Sequence, residues 1–274
     1  MKWFKYILIL FIIIAGVGSA WYFYPQYQIN KLQKAAAMSA KNKHRKVTSY
    51  LQYFAKMKAP KINHLAIGDS VIKGIGANQQ EDFITQFSKD LKHATGKTVI
   101  SSNEGIPGIT STELNDLIQQ GKFDDEIKGA DIITVNVGGN DILRLAKQKN
   151  IYQAIQSFRT LQNDFENNLM QITTHINRLN PKATLVYLEL YNPLNPNNQF
   201  YGLANKLLPK WNINIYKAAD QIHSSIVVET SKVINDKHLQ YLSSDGVHPN
   251  SKGYLAISRK MFYEFQHTAR PTST

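Results

Sequence analysis

The chain opens on an uncharged run of 19 residues, Tyr6 to Tyr24, that contains Ile7 through Ile14 without a polar break. At 1.5 Å per residue about 20 residues cross the ~30 Å core of a bilayer, so the run predicts a membrane-spanning helix. Trp3, Phe4 and Tyr6 flank one end and Trp21, Tyr22, Phe23 and Tyr24 the other, as amphipathic rings do at the two interfaces. Lys2 and Lys5 point the N-terminus to the cytoplasm and the bulk of the chain outside. The alternative is a secreted protein, cleaved near Ala20, where Gly18-Ser19-Ala20 offers small residues. Residues 25–60 are polar and rich in Lys, Gln and Ala. We read them as a stalk or leading helix, with Val47, Leu51, Phe54 and Ala55 at helical spacing and Pro60 ending it.

From Ile62 the pattern alternates short apolar runs with segments of helical period. Strands are expected at Ile62 to Ile67, Thr98 to Ser101, Asp131 to Val137 and Ala183 to Leu190, with a weaker fifth at His238 to Leu242. Helices are expected at Phe83 to Leu91, Ser111 to Gln120, Tyr152 to Leu179, Ile213 to Val233 and Ser251 to Phe265. Strands that alternate with helices pair in parallel under right-handed crossovers. The expected fold class is therefore α/β: a three-layer α/β/α sandwich on a flavodoxin-like parallel sheet of about five strands, preceded by the N-terminal transmembrane helix. A disordered tail is expected at 269–274.

Composition narrows the chemistry. With 43% hydrophobic residues the 274-residue chain can bury a core, which excludes wholesale disorder. It has no cysteine, so disulfides, zinc–thiolate sites and a cysteine nucleophile are excluded. The net charge is +12, of which Lys2 and Lys5 supply 2 and the remainder of the chain +10. Such a balance suits anionic lipid or an anionic wall polymer. The basic residues are scattered and show no aromatic-interleaved stripe, so no nucleic acid is expected as a partner. The expected partners are an ester substrate and the membrane, with the body a monomer.

Three polar, Gly-containing patches follow expected strands: Gly68-Asp69-Ser70, Asn103 through Thr110, and Gly138-Gly139-Asn140-Asp141. A fourth, Asp245-Gly246-Val247-His248-Pro249, precedes the last helix. In an open parallel sheet the strand ends converge on one edge. A serine hydroxyl there is a weak nucleophile until a base takes its proton, and histidine does this near neutral pH. Asp245 stands three residues before His248, which across a turn lets the carboxylate accept Nδ1–H while Nε2 faces outward. The Ser70 and Gly108 backbone N–H groups and the Asn140 amide are candidate donors to an oxyanion. Asp69 and Asp141 read as loop-ordering carboxylates, and Gly139 as support for the site.

At these residues the sequence resembles the SGNH, or GDSL-type, esterase/lipase family, in its membrane-anchored or exported Gram-positive form. Four of the family's blocks occur in order, although Val71 stands where the name-giving leucine usually is. The resemblance implies an SGNH hydrolase domain over 61–268 and a Ser-His-Asp acyl hydrolase with no metal or cofactor. It assigns Ser70, His248 and Asp245 to catalysis and Ser70, Gly108 and Asn140 to the oxyanion hole. The function expected is an extracytoplasmic serine esterase or lipase working through an acyl-enzyme. The alternatives are an O-acyl (acetyl) esterase or acyltransferase acting on cell-wall glycans or polymers and, more remotely, a non-catalytic cell-envelope binding protein. The long insert Tyr191 to Trp211, with Phe200, Tyr201, Leu203, Leu207 and Leu208, is expected to line or cover an acyl pocket.

Other readings fail on spacing. Gly96-Lys97-Thr98 lacks the earlier glycine of a phosphate-binding loop, since Leu91 is there. Ser70-Val71-Ile72-Lys73 lacks a downstream K-T-G, and Ile72 breaks a G-x-S-x-G elbow. The other seven histidines show no metal-ligand spacing.

Overall fold

A computed structural model describes residues 23–34, 48–146 and 151–271. The expected membrane span and the possible cleavage site near Ala20 lie almost wholly outside the described residues. No helix among the described residues is long and apolar enough to cross a membrane.

Residues 23–34 form helix α1. The body then runs β1 (Thr48–Ser49), α2 (Tyr50–Lys56), β2 (Lys61–Gly68), α3 (Ser70–Lys73), α4 (Phe83–Thr95), β3 (Thr98–Gly105), α5 (Ser111–Gln119) and α6 (Asp124–Gly129). It continues through β4 (Ile132–Asn136), α7 (Gly139–Ala146), α8 (Ile151–Leu179), β5 (Thr184–Leu188), α9 (Tyr201–Asp220) and β6 (Ser225–Val228). It ends with α10 (Thr230–Val233), α11 (Ser251–His267) and β7 (Ala269–Arg270).

Five parallel strands form one sheet in the order β3-β2-β4-β5-β6. The order places β2 between β3 and β4, so its carboxyl end is flanked by two other strand ends. Side chains alternate across the sheet with period two. Leu65, Ile67, Ile133, Val135, Leu185 and Tyr187 face one layer, packed on Leu114, Ile118, Phe165, Ile172 and Trp211 from α5, α8 and α9. Ile62, Ala66, Ile132, Val186 and Leu188 face the other, packed on Phe54, Phe83, Phe87, Tyr254 and Phe265 from α2, α4 and α11. Each such fully buried side chain contributes about 1.5–3 kcal/mol. This is the expected sandwich.

Four expectations need correcting. The helix expected at Ile213 to Val233 is three elements: the end of α9, strand β6 and the short α10. The fifth strand is thus Ser225–Val228. His238 to Leu242 instead holds a 3₁₀ turn at Leu239–Tyr241, and Leu242 makes only an isolated bridge to Pro249. The end of the supposed stalk belongs to the body: Ser49 caps α2 with its side chain and Gln52 returns the bond, and Tyr50 and Phe54 are fully buried. The tail is ordered at its start, because Ala269–Arg270 pairs antiparallel with Thr48–Ser49.

Candidate active site

The site assembles at the carboxyl ends of β2, β3 and β4. Gly68 ends β2 at φ +147°, and a Cβ there would stand 1.9 Å from the Asn136 carbonyl oxygen, so the two strands close only around glycine. The next residue, Asp69, caps α3 by accepting the Val71 N–H at 2.9 Å. Ser70 therefore sits in the first turn of α3, where an N–H has no partner within the helix.

His248 reaches Ser70 from 178 residues away. Its loop is closed by the Ser243 N–H donating to the His248 carbonyl at 2.8 Å and turns at Gly246, φ +71°. Inside the loop one oxygen of Asp245 accepts the Ser243 hydroxyl and the N–H groups of Val247 and His248, at 2.8, 2.8 and 2.9 Å. The other lies 2.6 Å from His248 Nδ1. His248 Nε2 is 2.7 Å from Ser70 Oγ. Partial burial would by itself raise the Asp245 carboxyl. The bonds from His248, Val247 and Ser243 outweigh it and hold the group well below the usual carboxylate range. The sequence-predicted serine, imidazole and carboxylate are thus one hydrogen-bonded chain.

The loop after β3 is laced to both neighbours. Ile106 N–H donates to the Gly68 carbonyl at 2.8 Å, and Asn103 Nδ2 donates to the Ile72 carbonyl at 2.6 Å. Gly108 adopts φ +85°, and nothing lies within 4 Å of where its Cβ would be. Its N–H makes no hydrogen bond among the described residues. Asn140, in the first turn of α7, donates one amide hydrogen to the Ile109 carbonyl at 2.9 Å, which leaves the second for another acceptor. Asn140, at the start of α7, therefore stands against the loop that carries Gly108.

Asp69 is buried and accepts from Asn136 Nδ2 at 3.0 Å. Burial pushes its carboxyl up to about 6, against the opposing bonds from Val71 and Asn136 and the charge of His248. Asp141 accepts the Ser111 N–H and hydroxyl at 3.0 and 2.7 Å, tying α7 to the start of α5. A Cβ on Gly139 would meet only Asp69 Oδ2 at 3.8 Å, whereas one on Gly138, at φ +116°, would stand 2.7 Å from the Phe165 ring.

Sequence reasoning missed Asn136, Ser243 and Tyr191. The Tyr191 hydroxyl donates to the Val247 carbonyl at 2.8 Å and so holds the His248 loop. Asn136 carried a signal, a lone amide closing the apolar strand β4. The insert Tyr191 to Trp211 departs from expectation. Its second half is the start of α9, Trp211 is fully buried, and Phe200 is exposed. Tyr201 and Leu208 do line a cavity, but Ser70, Asp245 and His248 do not border it. No group of three or more potential metal ligands occurs among the described residues.

The family model described as GDSL-like Lipase/Acylhydrolase matches residues 66–256. The spore germination lipase LipC of Bacillus licheniformis is 27% identical over 207 residues, which are 73% of this chain and 94% of that protein. Among solved structures, the lipase Lip_vut3 from a goat rumen metagenome superposes with a TM-score of 0.63 at 24% identity, covering 76% of this chain and 99% of the lipase. The acetylxylan esterase Axe2 of Geobacillus stearothermophilus gives 0.55 at 15% identity, covering 78% and 97%.

Proposed function

Since the chain belongs to the GDSL-like lipase/acylhydrolase family and is a carboxylic ester hydrolase, we propose that Ser70 is its nucleophile, His248 its general base and Asp245 the group that orients the imidazole. His248 Nε2 takes the Ser70 proton as Oγ attacks the ester carbonyl carbon. The carbonyl electrons move onto oxygen, and the Ser70 and Gly108 N–H groups and the Asn140 amide stabilise that oxyanion. Collapse of the intermediate expels the alcohol, which takes the proton from His248, and leaves an acyl-serine. Water, deprotonated by His248, attacks the acyl carbon, and the Ser70 Oγ–acyl bond then breaks, Oγ taking the proton back from His248 as the carboxylic acid leaves.

The observation that carries this reading is the unbroken chain from Asp245 Oδ2 through His248 to Ser70 Oγ, at 2.6 and 2.7 Å. A bond of that length from a histidine to a serine hydroxyl is the geometry a base needs before proton transfer. Fluorophosphonate labelling tests it. Wild type labels, while Ser70→Ala and His248→Ala do not; equal labelling of all three removes the mechanism.

The enzyme acts outside the cytoplasm on a membrane tether. The support is the uncharged run Tyr6 to Tyr24 with Lys2 and Lys5 ahead of it. Protease accessibility of the body in intact cells tests the placement. Whether the ester belongs to a lipid or to an acylated glycan is decided by a p-nitrophenyl chain-length series. Activity confined to acetate marks a deacetylase, and activity on long chains marks a lipase.

A further inference from the structure

A second site lies beside the His248 loop, also at the carboxyl end of the sheet. Glu189, Tyr191 and Asn192 follow β5. Tyr191 holds Val247, while Glu189 and Asn192 line a cavity of about 240 Å³ that Gln26 of α1, Tyr201 and Asn205 of α9, and Asp236 complete. Helix α1 is fastened over the body by Gln33 Nε2, which donates to the Tyr216 hydroxyl at 3.2 Å and to Glu229 at 3.3 Å.

The lining selects a ligand chemistry. The volume falls below the roughly 300–1,000 Å³ of a drug-sized site, so it takes one small ring and not an acyl chain. An anion would meet the carboxylates of Glu189 and Asp236. A cation finds only Asp236, an exposed carboxylate, because the two oxygens of Glu189 already accept the Tyr216 hydroxyl at 2.8 Å and the Ser231 hydroxyl. Most other polar groups of the wall are also satisfied internally. Asn192 Nδ2 donates to Asn205 Oδ1 at 2.7 Å, and Asn212 exchanges two bonds with the Leu190 backbone, each at 2.9 Å. Among the wall's groups that make no hydrogen bond to the described residues are the Asn205 amide N–H₂, the Asp236 carboxylate and the Tyr201 hydroxyl. They offer donors, acceptors and a group that is both, beside an aromatic ring. A neutral ligand with several hydroxyls around one ring answers all three.

We propose that this cavity binds one sugar ring of a neutral glycan. The site stands apart from Ser70 and needs no nucleophile to be occupied.

Calorimetric titration of the full chain, in a detergent without a sugar headgroup, tests it with triacetylchitotriose, xylotriose and maltotriose as probes and trigalacturonate as the anionic control. At least one neutral trisaccharide binds, and it binds Ser70→Ala as tightly as wild type. Asn205→Leu and Asp236→Leu each weaken it at least tenfold and leave p-nitrophenyl acetate turnover unchanged. Both positions are exposed, and Asp236→Asn, which keeps the shape, also weakens binding. The proposal is overturned if no neutral trisaccharide binds, if the cavity variants bind like wild type, if Ser70→Ala abolishes binding, or if trigalacturonate binds more tightly.

Discussion

The Asp245 carboxylate touches the His248 ring with one oxygen, at 2.6 Å from Nδ1, and ties down the backbone of the same loop with the other. One side chain thus sets both the loop and the tautomer, because an acceptor at Nδ1 leaves Nε2 without its proton and ready to take one from Ser70. Asp245→Asn keeps the size but presents an N–H₂ or a neutral oxygen to the ring. We expect kcat on p-nitrophenyl acetate at pH 7 to fall by about 10³–10⁴-fold. A loss under tenfold would show that His248 is not oriented by this contact.

Asn140 has two jobs that one substitution separates. One amide hydrogen braces the Ile109 carbonyl, and the other is free for an oxyanion. Asn140→Ala is expected to lower kcat by about 10²–10³-fold with KM little changed, as for loss of a donor used only in the transition state. Steady-state kinetics with a soluble ester reads this. A rise in KM with kcat intact would make Asn140 a substrate-binding residue.

Gly105 is where the β3 loop touches the nucleophile's helix. A Cβ there would stand 2.3 Å from the Lys73 nitrogen and 2.7 Å from its Cα, both backbone atoms of α3 that cannot swing aside. Gly105→Ala is expected to cost about 1–3 kcal/mol and to lower kcat as well, because it pushes α3 and lengthens the 2.7 Å contact between Ser70 and His248. Gly108→Ala is the control for stability. It meets nothing within 4 Å and has only the strain of φ +85°, worth about 1–2 kcal/mol. Thermal unfolding measures both, and a Gly105→Ala protein as stable as wild type would refute the steric argument.

Much of the sheet was legible because β2 from His64 onward, β4 and β5 are buried on both faces and read as mainly apolar runs. Strand β6 was not. It is a four-residue edge strand with only alternate positions buried, and it directly follows a helix rich in Ala and Ile, so the helical period ran across it. The start of α9 hid for the opposite reason. Pro209 lies inside that helix, and a proline beside Asn-rich sequence reads as loop. Three of the site's four polar blocks were legible because each follows a strand end, and the fourth, Asp245 to Pro249, because it precedes the last helix. Asn136 showed only as a lone amide at the end of β4 and Tyr191 not at all, since the partners of both depend on which elements are neighbours.

Two buried titratable groups, His64 and Asp69, pull the acid stability of the fold in opposite directions. Burial lowers the His64 ring from 6.5 to about 3. Its Nε2 pairs with Thr134 Oγ1 at 2.8 Å, and its Nδ1 has no partner among the described residues, so no carboxylate offsets the loss of water. Burial raises Asp69 from 3.8 to about 6. Between about pH 4 and 6 the unfolded chain carries a proton on His64 that the folded chain lacks, so this group makes stability rise with pH. In the same interval the folded chain keeps a proton on Asp69 that the unfolded chain has lost, so this group makes stability fall. Each slope is about 1.4 kcal/mol per pH unit, and the two cancel. Asp69→Asn preserves an oxygen for Val71 and Asn136 and removes the titration. Its stability relative to wild type should therefore climb by about 1.4 kcal/mol per unit from pH 4 to 6. His64→Gln should lose stability relative to wild type at the same rate over that interval, because only the Asp69 slope remains. Urea unfolding at pH 4.5, 5.0 and 5.5 measures both. Parallel curves for wild type and Asp69→Asn would mean that Asp69 titrates alike in the folded and unfolded chains.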